Sequence, residues 1–393
     1  MIINRTLFYT TIGVIFEKIF PLIISFIFIN KIADAEYGLW IICFQFFLIF
    51  NSSIATPLTL NFNKNFFTST NKKINITEAR LIILIILLSF TVLLFVPNTS
   101  LLIAFLVTVM ICCSVFSLLI FNYLRYSEQN LKYAIYSGIR FFLFLFCLIS
   151  FGFDNQLEIN EILQSFIISN SLPFIGFVKK IKITFKSKDF KNEFLKLSFY
   201  GVITFFLSGI DRAVLGFYGY DLVSIATIGY AATIANVPSI LTETLKKYLS
   251  PLFFKDFTLK GFYSNKTIKS TTLFFIGLTL IQLILPIGFF FILKKTGLVK
   301  NSLVTDHFTS LIVVFSLSMA IYNLYHFLNP IIFYKNKSEK LIFILVLCST
   351  IFLLLLKLPA VFLNPILKVA LLKLLTSILL IILTFKMVLN ERK

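Results

Sequence analysis

Charge is scarce in this chain. Asp, Glu, Lys and Arg make up 13% of its 393 residues, against roughly 25% in an average soluble domain. So few charges cannot cover a water-soluble surface, and a large soluble domain is excluded. Histidine is scarcer, with only His307 and His326, which argues against a metal site. No glycine-rich phosphate loop is present, so no ATP hydrolysis is expected within the chain. The five cysteines (Cys43, Cys112, Cys113, Cys147 and Cys348) all fall in apolar segments. None has metal-ligand spacing, and they read as small buried side chains. Period-two alternation in tens is also missing. The apolar stretches run unbroken for about 16 to 25 residues, which argues against a β-barrel.

What is present is hydrophobic: 58% of the residues, enough for about eleven or twelve membrane spans of roughly 20 residues. Twelve are expected, over 7–29, 37–60, 81–96, 101–121, 133–152, 162–178, 195–217, 225–247, 270–293, 308–328, 341–358 and 366–386. Pro97-Asn98 marks a tight turn between the third and fourth. Ala33-Asp34-Ala35 resembles a signal cleavage site. The apolar stretch before it is too long for a signal core, however, and holds Glu17-Lys18 in its middle, so it reads as a retained first helix.

The net charge of +19 could point to nucleic acid, but its distribution points to a bilayer. One alternating set of connections (1–6, 61–80, 122–133, 179–196, 246–269, 335–340 and 386–393) holds 26 Lys and Arg; the other set holds 5. The positive-inside rule therefore places both termini and the first set in the cytoplasm.

The two halves of the chain repeat weakly. Glu17-Lys18 and Asp211-Arg212 are 194 residues apart, as are Pro57-Leu58 and Pro251-Leu252, and Asn71-Lys72 and Asn265-Lys266; Tyr37 and Tyr230 are 193 apart. An offset near half the chain favours a duplicated six-helix unit, with lobes 1–185 and 186–393. Both lobes then share one orientation, and a substrate is expected where they meet.

Five basic residues remain inside the expected spans: Lys18, Arg140, Arg212, Lys368 and Lys373, with the acids Glu17, Asp211 and Glu243. An ionisable group at the centre of a bilayer costs about 2.5–3.5 kcal/mol on insertion scales, so it faces a bundle interior or a watery cavity. Lys368 lies near a helix end and can snorkel, as can Lys357. Glu243, close to Lys246 and Lys247, reads as an interfacial pair. Lys18 lies about eleven residues into its helix, near mid-bilayer at about 1.5 Å rise per residue. Lys18, Arg140, Arg212 and Lys373 are candidate substrate-binding cations of one anion-attracting cavity, since arginine suits bidentate phosphate contact. Structural ion pairing is the alternative. Glu17 and Asp211, each directly before a cation, are candidates for ion coupling or for static pairing. Pro21, one turn later, permits a bend in the first helix. Asn51-Ser52-Ser53 and Asn236 place polar groups in the second and eighth helices, where interhelical hydrogen bonding explains them equally well.

The stretch Ile32-Ala33-Asp34-Ala35-Glu36-Tyr37-Gly38-Leu39-Trp40 resembles a segment after the first helix of polysaccharide flippases. Gly209-Ile210-Asp211-Arg212-Ala213-Val214-Leu215-Gly216, followed by Ile228-Gly229-Tyr230-Ala231-Ala232, resembles their segment around helices seven and eight. The chain thus resembles the Wzx-type O-antigen flippases of the multidrug/oligosaccharidyl-lipid/polysaccharide (MOP) exporter superfamily. It departs from them at 225–230 and in carrying Glu17 beside Lys18. The major facilitator signature is absent from 61–80.

The resemblance implies an all-α integral membrane fold, with twelve helices in two six-helix bundles around a central cavity, MATE-like, as a parallel pseudo-repeat. It implies no enzyme and no cofactor, but export of an undecaprenyl-diphosphate-linked oligosaccharide across the bacterial inner membrane, in O-antigen or lipopolysaccharide biosynthesis. Implied partners are that lipid-linked oligosaccharide, membrane lipids, a polysaccharide polymerase and a chain-length regulator, and no nucleic acid. The alternatives are a MATE-like drug/cation antiporter, which should have an acidic cavity, and a membrane polysaccharide polymerase, which should have a sizeable external loop. The longest external connection here, 294–307, has Asp306 as its only acid.

Overall fold

The computed structural model describes residues 5–19, 22–66, 74–76, 78–127, 129–152, 156–177, 181–183, 191–239, 265–334, 338–358 and 364–389. The repeat partners Asn71, Lys72 and Pro251, and the residues Glu243, Lys246 and Lys247, lie outside them. Among the described residues there are thirteen α-helices: α1 (Arg5–Ile19), α2 (Leu22–Phe26), α3 (Asp34–Phe66), α4 (Ala79–Leu94), α5 (Leu101–Tyr126), α6 (Asn130–Phe151), α7 (Ile159–Ile175), α8 (Lys191–Ala213), α9 (Leu222–Ala235), α10 (Asn265–Lys295), α11 (Phe308–Tyr334), α12 (Ser338–Lys357) and α13 (Pro365–Leu389). Seven of these helices contain stretches long and apolar enough to cross a bilayer, and α4 and α9 are shorter apolar helices.

The helices carry their apolar residues outward, as lipid requires. Along α6 the exposed side chains are Leu131, Ile135, Ile139, Phe142, Phe146 and Ile149, at helical spacing. Its buried face instead holds Tyr133, Ala134, Ser137, Gly138, Phe144 and Leu148. Small and polar residues pack helix on helix because lipid leaves apolar groups no reason to hide.

Within the first expected span, helix is described to Ile19 in α1 and again from Leu22 in α2. Two departures from the expected spans have physical causes. The fourth helix runs on to Tyr126, five residues past the expected 121, so Arg125 belongs to a helix and not to a loop. The helix expected over 225–247 stops at Ala235; tight turns follow, with Val237 N donating to Ile234 O (3.2 Å) and Ser239 N to Asn236 O (2.9 Å). Pro238 cannot supply the next helical N–H. The turn at Pro97-Asn98 is present, with Asn98 left-handed (φ 63°), a region asparagine tolerates. Ser100 then caps α5 by accepting from Ile103 N at 3.2 Å.

Packing divides the chain into two compact units: Met1–Ile24 with Asn30–Ala226, and Ser25–Ile29 with Thr227–Lys393. In the first, α8 lies along α3 at unusually close range. A Cβ on Gly201 would stand 2.6 Å from the Ser52 carbonyl oxygen, and one on Gly209 would stand 1.8 Å from the Gln45 amide oxygen. Ser52 Oγ donates to the Gly201 carbonyl (3.0 Å). The first unit also holds a parallel ladder of two short strands, β1 (Ile74–Ile76) and β2 (Ile181–Ile183), which pairs Ile74 with Ile181 and Ile76 with Ile183.

Candidate functional site

One group of intramembrane charges in the first unit lies between α1, α5 and α6. Gly13 lets the Tyr133 ring press against α1: a Cβ there would lie 2.3 Å from the ring. From that position the Tyr133 hydroxyl donates to Glu17 Oε2 at 2.8 Å. Arg140, two turns further along α6, sets its guanidinium 5.6 Å from the Phe121 ring centroid, where Glu17 and Tyr133 act on it electrostatically. The carboxylate and the arginine therefore share one part-buried site, and each lowers the cost of the other.

Arg125, at the end of α5, approaches the same tyrosine from another side, its guanidinium 5.4 Å from the Tyr133 centroid. Its Nη2 donates to Asn122 Oδ1, and Asn122 Nδ2 donates in turn to Thr59 Oγ1 on α3 (3.1 Å). Arg125, Asn122 and Tyr133 were not among the residues the sequence singles out. A lone Arg after the polar Asn122-Tyr123 looked like the start of a loop. The available signal is the spacing of Asn122 and Arg125, three residues apart and so on one helix face.

Asp211 and Arg212 are adjacent on α8. Asp211 is fully buried, and Arg212 Nε lies 3.2 Å from its Oδ2; Arg212 Nη2 also donates to the Ser208 carbonyl at 3.5 Å. Lys18 is on α1, with its side chain outside the described residues. By unit, Lys18, Arg140 and Arg212 belong to the first and Lys373 to the second.

In the second unit Lys373 is buried (1% exposed) on α13. Its ammonium sits 6.0 Å from the Tyr322 ring centroid on α11, a cation–π distance. Hydroxyls gather at its backbone instead: Ser377 Oγ and Thr376 Oγ1 both donate to the Lys373 carbonyl at 2.9 Å, and the Ser318 and Ser377 hydroxyls meet at 2.9 Å. Buried Gln282 on α10 donates to the Ala235 carbonyl (2.6 Å), where α9 stops, and accepts from Asn323 Nδ2 (3.4 Å). The Gln282 side chain thus replaces the partner that the interrupted helix would have supplied. Among the described residues, no cluster of three or more His, Cys, Asp or Glu side chains could hold a metal ion.

No family model matches the chain, and no curated protein matches it. Solved structures do. A chain called protein A superposes with a TM-score of 0.62 at 13% identity, over 100% of this chain and 96% of that one. A MOP superfamily transporter from Pyrococcus furiosus, described as having a binding pocket of reverse polarity, gives a TM-score of 0.51 at 10% identity, over 99% and 96%. The eukaryotic MATE transporter AtDTX14 gives 0.49 at 12% identity, over 98% and 92%. The fold is that of a multi-pass membrane protein. More narrowly, it is a fold similar to that of the Pyrococcus furiosus MOP superfamily transporter.

Proposed function

We propose that the chain is a MOP superfamily transporter, not an enzyme, and that it flips an undecaprenyl-diphosphate-linked oligosaccharide from the cytoplasmic to the periplasmic leaflet. The observation that carries this reading is the sign of the intramembrane charge. Lys18, Arg140, Arg212 and Lys373 outnumber Glu17 and Asp211 well inside the spanning helices described. Cations are expensive in hydrocarbon, and an anionic diphosphate cargo gives them a use, while its polyprenyl tail stays in lipid. In this reading Lys18, Arg140, Arg212 and Lys373 bind substrate. Twelve spans form lobes 1–185 and 186–393, which rock around the cargo. Both termini face the cytoplasm of the bacterial inner membrane, and the cargo is handed to a polymerase and a chain-length regulator. Alanine at Arg140 or Lys18 should abolish surface polysaccharide export at unchanged membrane abundance. Wild-type polysaccharide in both variants would reject the cationic site. Alkaline phosphatase fused after residue 156 should be active and after residue 187 silent; the reverse would reject the orientation.

A second reading, a drug/cation antiporter, draws on one observation: the Glu17 carboxylate held by Tyr133 at 2.8 Å. A protonatable group in such a place can bias two conformations, and Asp211 is its counterpart in the repeat. Organic-cation efflux driven by a proton or sodium gradient and lost in Glu17→Gln would favour it. Transport indifferent to both gradients would leave Glu17 and Asp211 as static partners of their arginines.

A further inference from the structure

We propose that Arg125, with Asn122 and Tyr133 beside it, forms a phosphate-binding site at the end of the first unit that the loop charges assign to the cytoplasm. Arg140 and Arg212 each have a carboxylate acting on them, Glu17 and Asp211. Arg125 has none among the described residues. Its one hydrogen-bonded partner is the neutral Asn122, and its Nε is buried with no partner at all. An arginine at a helix C-terminus is often explained by the terminal carbonyls it satisfies, but here that role is filled. Ser127 takes the Tyr123 carbonyl through both N (2.9 Å) and Oγ (2.6 Å), and Gln129 N takes the Leu124 carbonyl (2.8 Å).

The guanidinium is nonetheless held in place. The Tyr133 ring lies 5.4 Å away on one side, and that ring cannot turn freely because Gly13 closes on it and Glu17 holds its hydroxyl. Asn122, anchored to Thr59, fixes Nη2. An oriented guanidinium with an idle Nε–H in a part-buried place is suited to two parallel bonds to phosphate oxygens. Among the described side chains of the α1–α5–α6 cluster, two arginines stand against one glutamate, an excess positive charge that a phosphate offsets. Two sources carry this chemistry: the diphosphate of a polyprenyl carrier as it loads, and an anionic lipid headgroup. Assigning the carrier rests on the flippase reading; the phosphate chemistry does not.

The test uses the full chain in phosphatidylcholine nanodiscs, with undecaprenyl diphosphate as probe and phosphatidylglycerol-doped discs as a second arm. Arg125→Gln should weaken probe binding by about ten- to a hundredfold, the range expected for charge-assisted hydrogen bonds. Arg125→Lys should fall between, because an ammonium cannot make the bidentate contact. Elution profile and melting temperature establish that the variants are folded; if Arg125→Gln does not fold, Arg125→Lys alone carries the comparison. A probe that fails to bind, with phosphatidylglycerol raising the melting temperature of wild type but not of the variants, leaves the phosphate site standing as a headgroup site and removes the carrier assignment. Equal binding of the probe by wild type and folded variants, or no dependence on Arg125 in either arm, overturns the proposal.

Discussion

The two compact units solve the problem of intramembrane charge differently. The first matches charge with charge: Glu17 acts on Arg140 while accepting from Tyr133, and Asp211 lies against Arg212. The second sets Lys373 over the face of Tyr322, with the Ser377 and Thr376 hydroxyls on its backbone carbonyl, and meets the interrupted end of α9 with the neutral Gln282. In sequence, the described spanning helices of the second unit have no acid beyond Glu339 at the start of α12. A carboxylate partner makes a cation cheap but ties the pair together. A cation over an aromatic face is held by the ring quadrupole, a contact worth about 0.5–2 kcal/mol. The first unit should therefore be fragile to loss of one partner, and the second tolerant of losing its lysine.

Breaking a pair is the largest effect expected. Glu17→Ala removes the acceptor of Tyr133 and the counter-charge of Arg140, and should destabilise the protein by about 3–5 kcal/mol in reversible unfolding in mixed micelles. Adding Arg140→Gln should recover a substantial part, because no uncompensated charge then remains. Lys373→Met, judged by the same unfolding, should change stability by less than about 1.5 kcal/mol. Equal losses in Glu17→Ala and Lys373→Met would erase the contrast between the units.

Close packing comes next. Gly13→Leu drives a side chain into the Tyr133 ring and should cost about 1–3 kcal/mol. Gly138→Ala, whose new methyl would meet Phe16 at an ordinary 3.5 Å, should be nearly silent in the same melting assay. A comparable effect is expected in the second unit: Gln282→Ala strands the Ala235 carbonyl and should cost about 1–3 kcal/mol. Hydrogen exchange concentrated at 232–236 would localise it.

The smallest effect lies outside the bilayer. Asp221 caps α9, accepting from Ser224 N at 2.7 Å and from Ser224 Oγ at 2.9 Å. The backbone bond from Ser224, chiefly, holds its carboxyl below the ordinary value of 3.8, against a smaller opposing effect of burial. A carboxyl depressed on folding contributes its stability above the unfolded value and loses it as pH falls through the folded one. Asp221→Ala should cost about 1 kcal/mol at neutral pH, and the difference from wild type should shrink in acid below that value. A pH-independent difference would contradict the cap.

The spans were readable because a bilayer imposes length and composition on each helix separately. Pro97-Asn98, the turn before α5, is a local signal of this kind. The end of α5 was not readable, because Asn122 and Arg125 look like loop residues until Thr59 and Tyr133, distant in sequence, receive them. Nor was the stop of α9, because the substitute partner of its last carbonyl, Gln282, comes from another helix. Of the candidate site, the charges were visible in the sequence and their partners only in part. Glu17 was noted beside Lys18, yet its hydrogen-bonding partner is Tyr133, 116 residues away.

The most direct test of the cargo's charge is a transport assay in proteoliposomes offered two substrates: a fluorescent undecaprenyl-diphosphate saccharide, whose leaflet is read by an impermeant quencher, and an organic cation. The account predicts that the diphosphate-linked saccharide crosses at a rate that collapses in Arg140→Ala, while the cation stays where it was loaded. Cation movement driven by a proton or sodium gradient, with the saccharide confined to its original leaflet, would contradict it.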